Sequence, residues 1–209
     1  MSMQAPVQKN TVKISRSRNT IHSSAKRNRI RIIGGAWRTR LIEFPDVPDL
    51  RPTTDRVRET LFNWLGQTLY GKKCLDLFAG SGALGFEALS RHAQHVTMVE
   101  RQPSVHAALQ SNATRLDARD LTLVCADASL YLRSCSHVFD VVFLDPPFKA
   151  DMLGEILALL PAVLTHDAVV YVESYRELTE VAPRWKILKN SQAGKVIFGL
   201  IGSPEMGDS

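Results

Sequence analysis

The chain has 209 residues, of which 44% are hydrophobic and 22% charged, a composition typical of one globular domain of ordinary size with an appendage. It contains no apolar run of about eighteen residues and no apolar segment typical of a secretory signal, which excludes a membrane span and argues against export. The three cysteines, Cys74, Cys125 and Cys135, form no CxxC pair, so we expect a cytoplasmic protein without disulfides or a thiolate metal site.

Positive charge is concentrated at the start of the chain. Residues 1–40 contain ten Lys or Arg and no acidic residue, which leaves sixteen basic and 21 acidic residues in 41–209. The net charge is therefore +10 on the first forty residues and −5 on the rest. A basic arm on a slightly acidic body is typical of binding to a phosphate backbone. Two alternatives are a solubilising tail and a mitochondrial transit peptide, although the apolar residues of this segment form a poor amphipathic face.

The first predicted element is a β-hairpin over residues 29–50, after a basic extension over residues 1–28 that lacks hydrophobic periodicity and that we expect to be largely disordered. In the hairpin, basic and apolar residues alternate, Gly34-Gly35 indicates a turn, and a second strand follows from Trp37. The alternation places arginines together on one face. The candidates for holding a phosphate backbone are Arg29, Arg31, Arg38 and Arg40. Solvated arginines on a hairpin packed against the domain are an equally good interpretation.

Three prolines then mark an irregular connection, and the segment RPTTDRVRETLFNWL predicts a helix capped by Thr54 or Asp55. Farther along, near-continuous apolar strands alternate with helices. We predict strands at about 73–78, 95–99, 121–125, 139–144 and 168–173, and helices at about 82–91, 103–115, 128–134 and 150–161. This alternation indicates a parallel sheet covered on both faces.

The end of the chain breaks this alternation. WKILKN, a turn and KVIFGLI predict an antiparallel hairpin without an intervening helix. We therefore predict a doubly wound, Rossmann-like α/β domain over residues 51–202, with a seven-stranded sheet whose last strand is antiparallel, followed by a flexible tail over 203–209.

A glycine-rich loop ends the first strand of this domain. Gly80-x-Gly82-x-x-Gly85 lets the backbone approach a ligand at a helix N-terminus. Glu100, at the end of the next strand, can accept hydrogen bonds from the ribose of an adenosine-containing ligand. Asp76 beside the loop would repel the pyrophosphate of NAD but would suit a ligand that carries an amino group and a sulfonium, which favours S-adenosylmethionine.

The third strand ends at Ala126-Asp127-Ala128, at the edge of the sheet where the same ligand would lie. Asp127 can accept a hydrogen bond from an adenine amino group, or it can cap the helix that follows. Both roles can hold together.

The most specific motif is Asp145-Pro146-Pro147-Phe148, directly after the strand FDVVFL. Consecutive prolines stiffen the chain, so the Asp145 carboxylate and the Pro146 carbonyl can act as fixed acceptors at one spot. Two acceptors on the hydrogens of a ring-attached amine favour a tetrahedral nitrogen, whose lone pair can then meet a methyl group in line. Phe148 offers a face for stacking a displaced base. The alternative is a plain strand-to-loop turn.

LDLFAGSGALGFEALSR together with FLDPPF resembles the class I methyltransferases that modify amino groups on bases. More narrowly, RIIGGAWRTR, RPTTDRVRETLFNWL and YVES closely resemble the RsmD-type bacterial 16S ribosomal RNA guanine-N2 methyltransferases, in the same order from about Arg29 to Leu200. The resemblance implies that S-adenosylmethionine lies against Asp76, Phe78, Gly80, Gly82, Glu100, Ala126, Asp127 and Ala128, and that the target amine lies at Asp145, Pro146 and Phe148. It also implies supporting roles for Thr53 and Thr54 beside the cofactor, and for Arg51 and Arg58 in RNA binding at the substrate entrance.

The sequence thus predicts transfer of a methyl group from S-adenosylmethionine to N2 of one guanine in 16S ribosomal RNA, either free or within a 30S subunit. We expect a monomer that needs no metal and no covalent cysteine adduct, because the amine can shed its proton once it is cationic. Three alternatives remain open: an amino methyltransferase acting on DNA adenine, an NAD-dependent oxidoreductase, and a non-catalytic RNA-binding protein.

Overall fold

A computed structural model of the chain describes residues 27–48, 50–147 and 152–204. Nearly all of the basic extension predicted over residues 1–28, the aromatic residue Phe148 and most of the tail predicted over residues 203–209 lie outside the described residues. Within the described ranges, no helix is both long enough and apolar enough to cross a membrane.

The chain forms an N-terminal hairpin and then alternates strands and helices. The strands are β1 (Arg27–Arg31), β2 (Leu41–Pro45), β3 (Lys73–Asp76), β4 (His95–Val99), β5 (Leu121–Val124), β6 (Phe139–Leu144), β7 (Leu164–Ser174), β8 (Trp185–Ala193) and β9 (Val196–Pro204). The helices are α1 (Asp55–Trp64), α2 (Ala83–Ser90), α3 (Pro103–Leu116), α4 (Ala128–Ser134), α5 (Leu153–Leu159) and α6 (Leu178–Val181), with a 3₁₀ turn at Leu160–Val163. The predicted α/β alternation is confirmed; the four-residue α6 is too short to show a hydrophobic period and was not predicted.

The seven-stranded sheet has the order β5-β4-β3-β6-β7-β9-β8. Strands β3 to β7 are parallel, and β9 runs antiparallel to both β7 and β8, which confirms the predicted antiparallel strand. The chain moves outward from β3 to β5 and then returns to place β6 on the other side of β3. Loops that leave β3 and β6 therefore diverge, and a crevice opens between them at the carboxyl ends of the strands.

Alternate residues of the central strands enter two separate apolar cores. Cys74 and Phe143 belong to the core shared with α1, α2, α3 and the hairpin, whereas Leu75 and Leu144 belong to the core shared with α4, α5 and α6. Because successive side chains of a strand point to opposite faces, the two cores lie on the two faces of the sheet. Both faces are covered, as the continuous apolar strands predict.

The N-terminal hairpin has a different turn from the one predicted. β1 and β2 pair antiparallel from Arg27 opposite Pro45 to Arg31 opposite Leu41, so the connection spans residues 32–40 rather than a tight turn at Gly34-Gly35. The two glycines instead lie against α2. Gly35 has φ 74°, and a Cβ there would lie 1.8 Å from the carbonyl oxygen of Ser90. Close backbone packing, rather than hairpin geometry, explains the glycine pair.

Candidate active site

A cleft of about 630 Å³ lies at the carboxyl edge of the sheet. Its walls are the segment before α1, the loops after β3, β4, β5 and β6, and the residue that follows β7. A cleft of this size falls in the range typical of small-molecule sites. The predicted residues that line it are Arg51, Thr53, Asp76, Phe78, Gly80, Glu100, Ala126, Asp127, Ala128, Asp145 and Pro146.

Gly82 and Thr54 do not line the cleft, which corrects their predicted contact with a cofactor. Gly82 is the residue before α2, with φ 80°, and a Cβ there would lie 2.7 Å from the side chains of Leu109 and Phe86. Its glycine is therefore required by backbone conformation and packing. Thr54 precedes α1 at the capping position and is exposed, although its side chain makes no capping hydrogen bond.

Asp76 ends β3 inside the domain with only 3% of its surface exposed. Its Oδ2 accepts a hydrogen bond of 2.9 Å from the Gly85 N–H. Burial raises the pKa of Asp76 to about 7 against the lowering effect of that bond, and the nearby Glu100 adds to the rise. Since a cation in the cleft would favour the ionised form, the charge of Asp76 depends on what is bound.

Glu100 and Asp127 both brace backbone at the edge of the cleft. Glu100 accepts hydrogen bonds from the N–H groups of Gly80, at 3.0 Å, and Gln102, at 2.7 Å. Asp127 Oδ1 accepts from the backbone N–H groups of Ser129 and Leu130 at the start of α4. The predicted capping role of Asp127 is therefore confirmed. A carboxylate oxygen has two lone pairs, so these bonds leave acceptor capacity for ribose and adenine groups.

Asp145 leaves β6 next to Asp76 because β3 and β6 are neighbours in parallel register, with Asp76 opposite Phe143. The Thr53 hydroxyl donates a hydrogen bond of 3.3 Å to Asp145 Oδ2. Burial, then the carboxylates of Glu173 and Asp76, raise the pKa of Asp145 well above its ordinary value. Two carboxyl groups that follow adjacent strands thus share one cleft.

Two residues at the carboxyl end of β7 belong to this site and were given no role from the sequence. Glu173 is 6% exposed and accepts a 2.7 Å hydrogen bond from the Tyr171 hydroxyl. Tyr175, just beyond β7, lines the cleft and is exposed. The signal that marks Glu173 in the sequence is an acidic residue at the end of an otherwise apolar strand, VVYVE.

The prediction that Arg58 contacts RNA is wrong, because its side chain is completely buried. It donates to Glu87 Oε2 at 3.3 Å, to Asp55 Oδ1 at 2.6 Å and to the carbonyl oxygen of Arg31 at 2.9 Å. A buried guanidinium with these partners is part of the domain's internal packing. Arg58 therefore joins α1 to α2 and to β1.

The four candidate arginines of the hairpin are exposed. Arg29 pairs with Glu43 across the two strands at 3.1 Å, and Arg40 donates to the carbonyl oxygen of Arg115 on α3 at 2.5 Å. Arg115 is itself close to Glu43, at 3.5 Å. The structure thus places Arg115 beside the exposed arginines of the hairpin. Arg115 lies on α3, far along the chain, and no sequence pattern connects it with the hairpin.

The described residues contain no group of three or more His, Cys, Asp or Glu side chains able to hold a metal ion. The three cysteines are unpaired thiols.

The chain is similar to known proteins over most of its length. A family model described as conserved hypothetical protein 95 matches residues 30–201. The ribosomal RNA small subunit methyltransferase D of Escherichia coli K12 is 44% identical over 184 residues, which cover 86% of this chain and 93% of that protein. The Haemophilus influenzae protein of the same name is 40% identical over 86% of this chain and 97% of its own length. A solved structure of a candidate methyltransferase from Escherichia coli shares 43% identity and a TM-score of 0.77, covering 85% of this chain and 99% of that one.

Proposed function

Because this chain belongs to the family of the ribosomal RNA small subunit methyltransferases D, we propose that it transfers a methyl group from S-adenosylmethionine to N2 of one guanine in 16S ribosomal RNA. One observation carries the proposal: the glycine loop after β3 and the Asp145-Pro146 motif after β6 open into a single cleft. A donor site and an amine-binding site thereby lie side by side.

The residues present fit S-adenosylmethionine. Asp76, at the bottom of the cleft, would face the positively charged methionine portion, and Glu100 would accept the ribose hydroxyls. Asp127 with the backbone of Ala126 and Ala128 would hold the adenine. The bound cofactor supplies a methyl group on a sulfonium. A buried carboxyl at Asp76 gains its charge when a cation arrives, whereas a pyrophosphate would meet repulsion, which argues against NAD.

Asp145 and the Pro146 carbonyl would hold the two hydrogens of the target amine. These acceptors fix the nitrogen with its lone pair directed at the methyl carbon, so positioning supplies much of the rate. Once the nitrogen carries the methyl group it is cationic and readily releases a proton. The amine therefore does not need to be deprotonated before the transfer. Phe148, which lies outside the described residues, is proposed to stack on the displaced base.

The exposed hairpin arginines are proposed to bind the phosphate backbone of the RNA, with Arg51 at the mouth of the cleft. The basic extension over residues 1–28 is proposed to add to this attraction. The substrate is either 16S RNA alone or an assembling 30S subunit, and the protein acts as a monomer in the cytoplasm. The unpaired thiols are compatible with that compartment.

The proposal is tested with purified protein and radiolabelled methyl donor, offered in parallel 30S subunits, naked 16S RNA and duplex DNA. The RNA should come from cells that lack this gene, so that the target is unmodified. Label recovered as N2-methylguanosine after digestion to nucleosides is the expected result. Label in DNA adenine alone would establish the adenine alternative instead, and RNA binding without any labelling would favour a non-catalytic protein.

The raised pKa of Asp76 predicts that cofactor affinity depends on pH. Below about pH 7, Asp76 holds a proton that must be released before it can face a cation, so binding weakens as pH falls. For one group with a pKa near 7, the dissociation constant should rise about tenfold from pH 8 to pH 6. Isothermal titration measures it. Asp76→Asn should bind more weakly and show a smaller pH dependence than wild type, with the remainder coming from the buried Asp145 carboxyl, whose pKa is also raised. Equal wild-type affinity at both pH values would remove Asp76 from the contact.

The hairpin arginines predict salt-dependent RNA binding. Replacing Arg38 and Arg40 by alanine should weaken binding to 16S RNA and flatten the plot of log K against log salt by about 0.7–0.9 for each phosphate that is no longer neutralised. Filter binding over a salt series measures the slope. Arg184→Ala is the control, because this exposed arginine precedes β8, the edge strand at the other end of the sheet from β4 and β5, whose connecting helix α3 contacts the hairpin. A double variant with the wild-type slope would mean that these arginines are merely solvated.

A further inference from the structure

Glu173 lies beside Asp145, one strand away. In the parallel register of β6 and β7, Leu144 is opposite Val172, so Asp145 and Glu173 are the next residues of the two strands. Glu173 lies on the same face as Tyr171, two residues earlier, since side chains alternate along a strand. It is buried behind the cleft rather than lining it. A second carboxyl group therefore stands behind the one that would touch the substrate.

Each of the two carboxyl groups accepts a hydrogen bond from a buried hydroxyl group. The Thr53 hydroxyl donates to Asp145 Oδ2 at 3.3 Å. The Tyr171 hydroxyl, which is fully buried next to the Phe198 ring, donates to Glu173 Oε1 at 2.7 Å. A tyrosine hydroxyl that donates to a carboxylate stabilises its charged form. The hydrogen bond that Glu173 accepts from Tyr171 is thus shorter than the one that Asp145 accepts from Thr53.

The charges around Asp145 and Glu173 favour a state in which these two carboxyl groups hold one proton between them. Two buried carboxyl groups at this spacing disfavour each other's charge, and Asp76 from the end of β3 adds a third acidic group. Besides Asp76 and Asp145, the charged groups that line the cleft are Arg51, Glu100, Arg101 and Asp127, and β9 contributes the apolar Phe198 ring opposite Glu173. Burial raises the pKa of both carboxyl groups, but the 2.7 Å hydrogen bond from Tyr171 opposes the rise at Glu173, so Asp145 is the better proton acceptor of the two.

We propose that Glu173 is a positioning residue whose negative charge, held by the Tyr171 hydroxyl, makes Asp145 the acceptor of the proton that the methylated amine releases. This rests on the proposed function. With a cationic cofactor bound, Asp145 would be ionised before transfer and could hold the amine hydrogens. After transfer the positive charge is on the nitrogen. One N–H bond then breaks with its electron pair staying on nitrogen, and an O–H bond forms at Asp145.

The pH profile of kcat tests this assignment. Glu173→Gln keeps the size of the side chain and removes its charge, so Asp145 becomes less basic and the acidic limb of the profile should move to lower pH. Tyr171→Phe should move the limb in the same direction, because Glu173 without its donor holds the proton itself and no longer places a negative charge beside Asp145. Glu180→Gln, an exposed carboxyl on α6, is the matched control and should leave the limb in place. A purely structural role for Glu173 would change kcat or stability without moving the limb.

A second readout needs no catalysis. Titrating S-adenosylmethionine into the protein by calorimetry in buffers of different ionisation enthalpy counts the protons released near pH 7. Wild type should release more than Glu173→Gln, because the cofactor must displace the proton from Asp145 in wild type. Equal release together with an unmoved acidic limb would overturn the role of Glu173. A wild-type protein that methylates no RNA yet releases protons on cofactor binding would instead contradict the proposed function.

Discussion

Replacing Asp145 by alanine should lower kcat for methyl transfer to RNA by at least about a hundredfold while S-adenosylmethionine still binds. The reason is that Asp145, which lines the cleft next to Pro146, is the side-chain acceptor of the target amine in the proposed function. Without it the nitrogen keeps its flat geometry and its lone pair stays delocalised into the ring. Single-turnover labelling of 16S RNA measures the rate, and equilibrium titration measures cofactor affinity.

Asp145→Asn is the matched variant. It keeps one acceptor oxygen in the same place and loses the charge, so it should retain more activity than the alanine variant. Neither change is expected to unfold the protein, because burial raises the pKa of Asp145 and the folded state therefore disfavours its charge. An Asp145→Ala protein that methylates at the wild-type rate would exclude Asp145 from the chemistry.

Replacing Glu87 by alanine should lower the free energy of unfolding by about 3–5 kcal/mol, because it removes the buried carboxylate that pairs with both Arg58 and Arg91 and leaves Arg58 with the exposed Asp55 as its acidic partner. Glu87 on α2 is completely buried. Its carboxylate accepts from the N–H groups of Ile33 and Gly34 at 2.9 and 2.7 Å, from Arg58 Nη1 at 3.3 Å and from Arg91 Nε at 2.9 Å. Urea unfolding followed by circular dichroism measures the loss.

Glu59→Ala is the control for that experiment, since Glu59 is an exposed carboxyl on α1 and its loss should change the free energy of unfolding by less than about 0.5 kcal/mol. The loss in free energy of unfolding for Glu87→Gln should lie between those of Glu87→Ala and Glu59→Ala, because glutamine keeps the side-chain shape and one acceptor oxygen. If Glu87→Ala unfolds at the same urea concentration as Glu59→Ala, the buried ion pairs contribute no net stability.

The sequence was sufficient to predict the sheet and the meeting of the two motifs. Apolar strands alternate with helices over a hundred residues, and Asp76 and Asp145 each follow such a strand. Because parallel strands all present their carboxyl ends at one edge, residues that follow them meet there whatever their separation along the chain. The strand order then makes β3 and β6 neighbours.

The glycine pattern was a poorer guide to individual roles. Gly80 lines the cleft, but Gly82 sits against Phe86, and a Cβ at Gly85 would lie 2.4 Å from the Met98 side chain. A glycine motif indicates positions where a side chain is not tolerated. It does not indicate whether the space is occupied by a ligand, a strand or an aromatic ring.

Charged residues were the hardest to place. Arg58 has the ordinary appearance of a solvated helix residue, yet it is buried because Glu87, nearly thirty residues later, arrives beside it. Local charge patterns carry no information about such distant partners. The position of Glu173 beside Asp145 could not be predicted either, because it depends on the register of two strands, which the sequence alone does not specify.

The docking of the hairpin on α2 has a consequence for protein engineering. The same eight-residue helix begins at the glycine loop and, through Glu87 and Ser90, binds the hairpin backbone at Gly34 and Trp37. The hairpin therefore cannot be replaced independently of α2. A chimera that takes its hairpin from another enzyme would also have to replace Arg58, Glu87, Ser90 and Arg91 by that enzyme's residues, and with them the helix that follows the glycine loop.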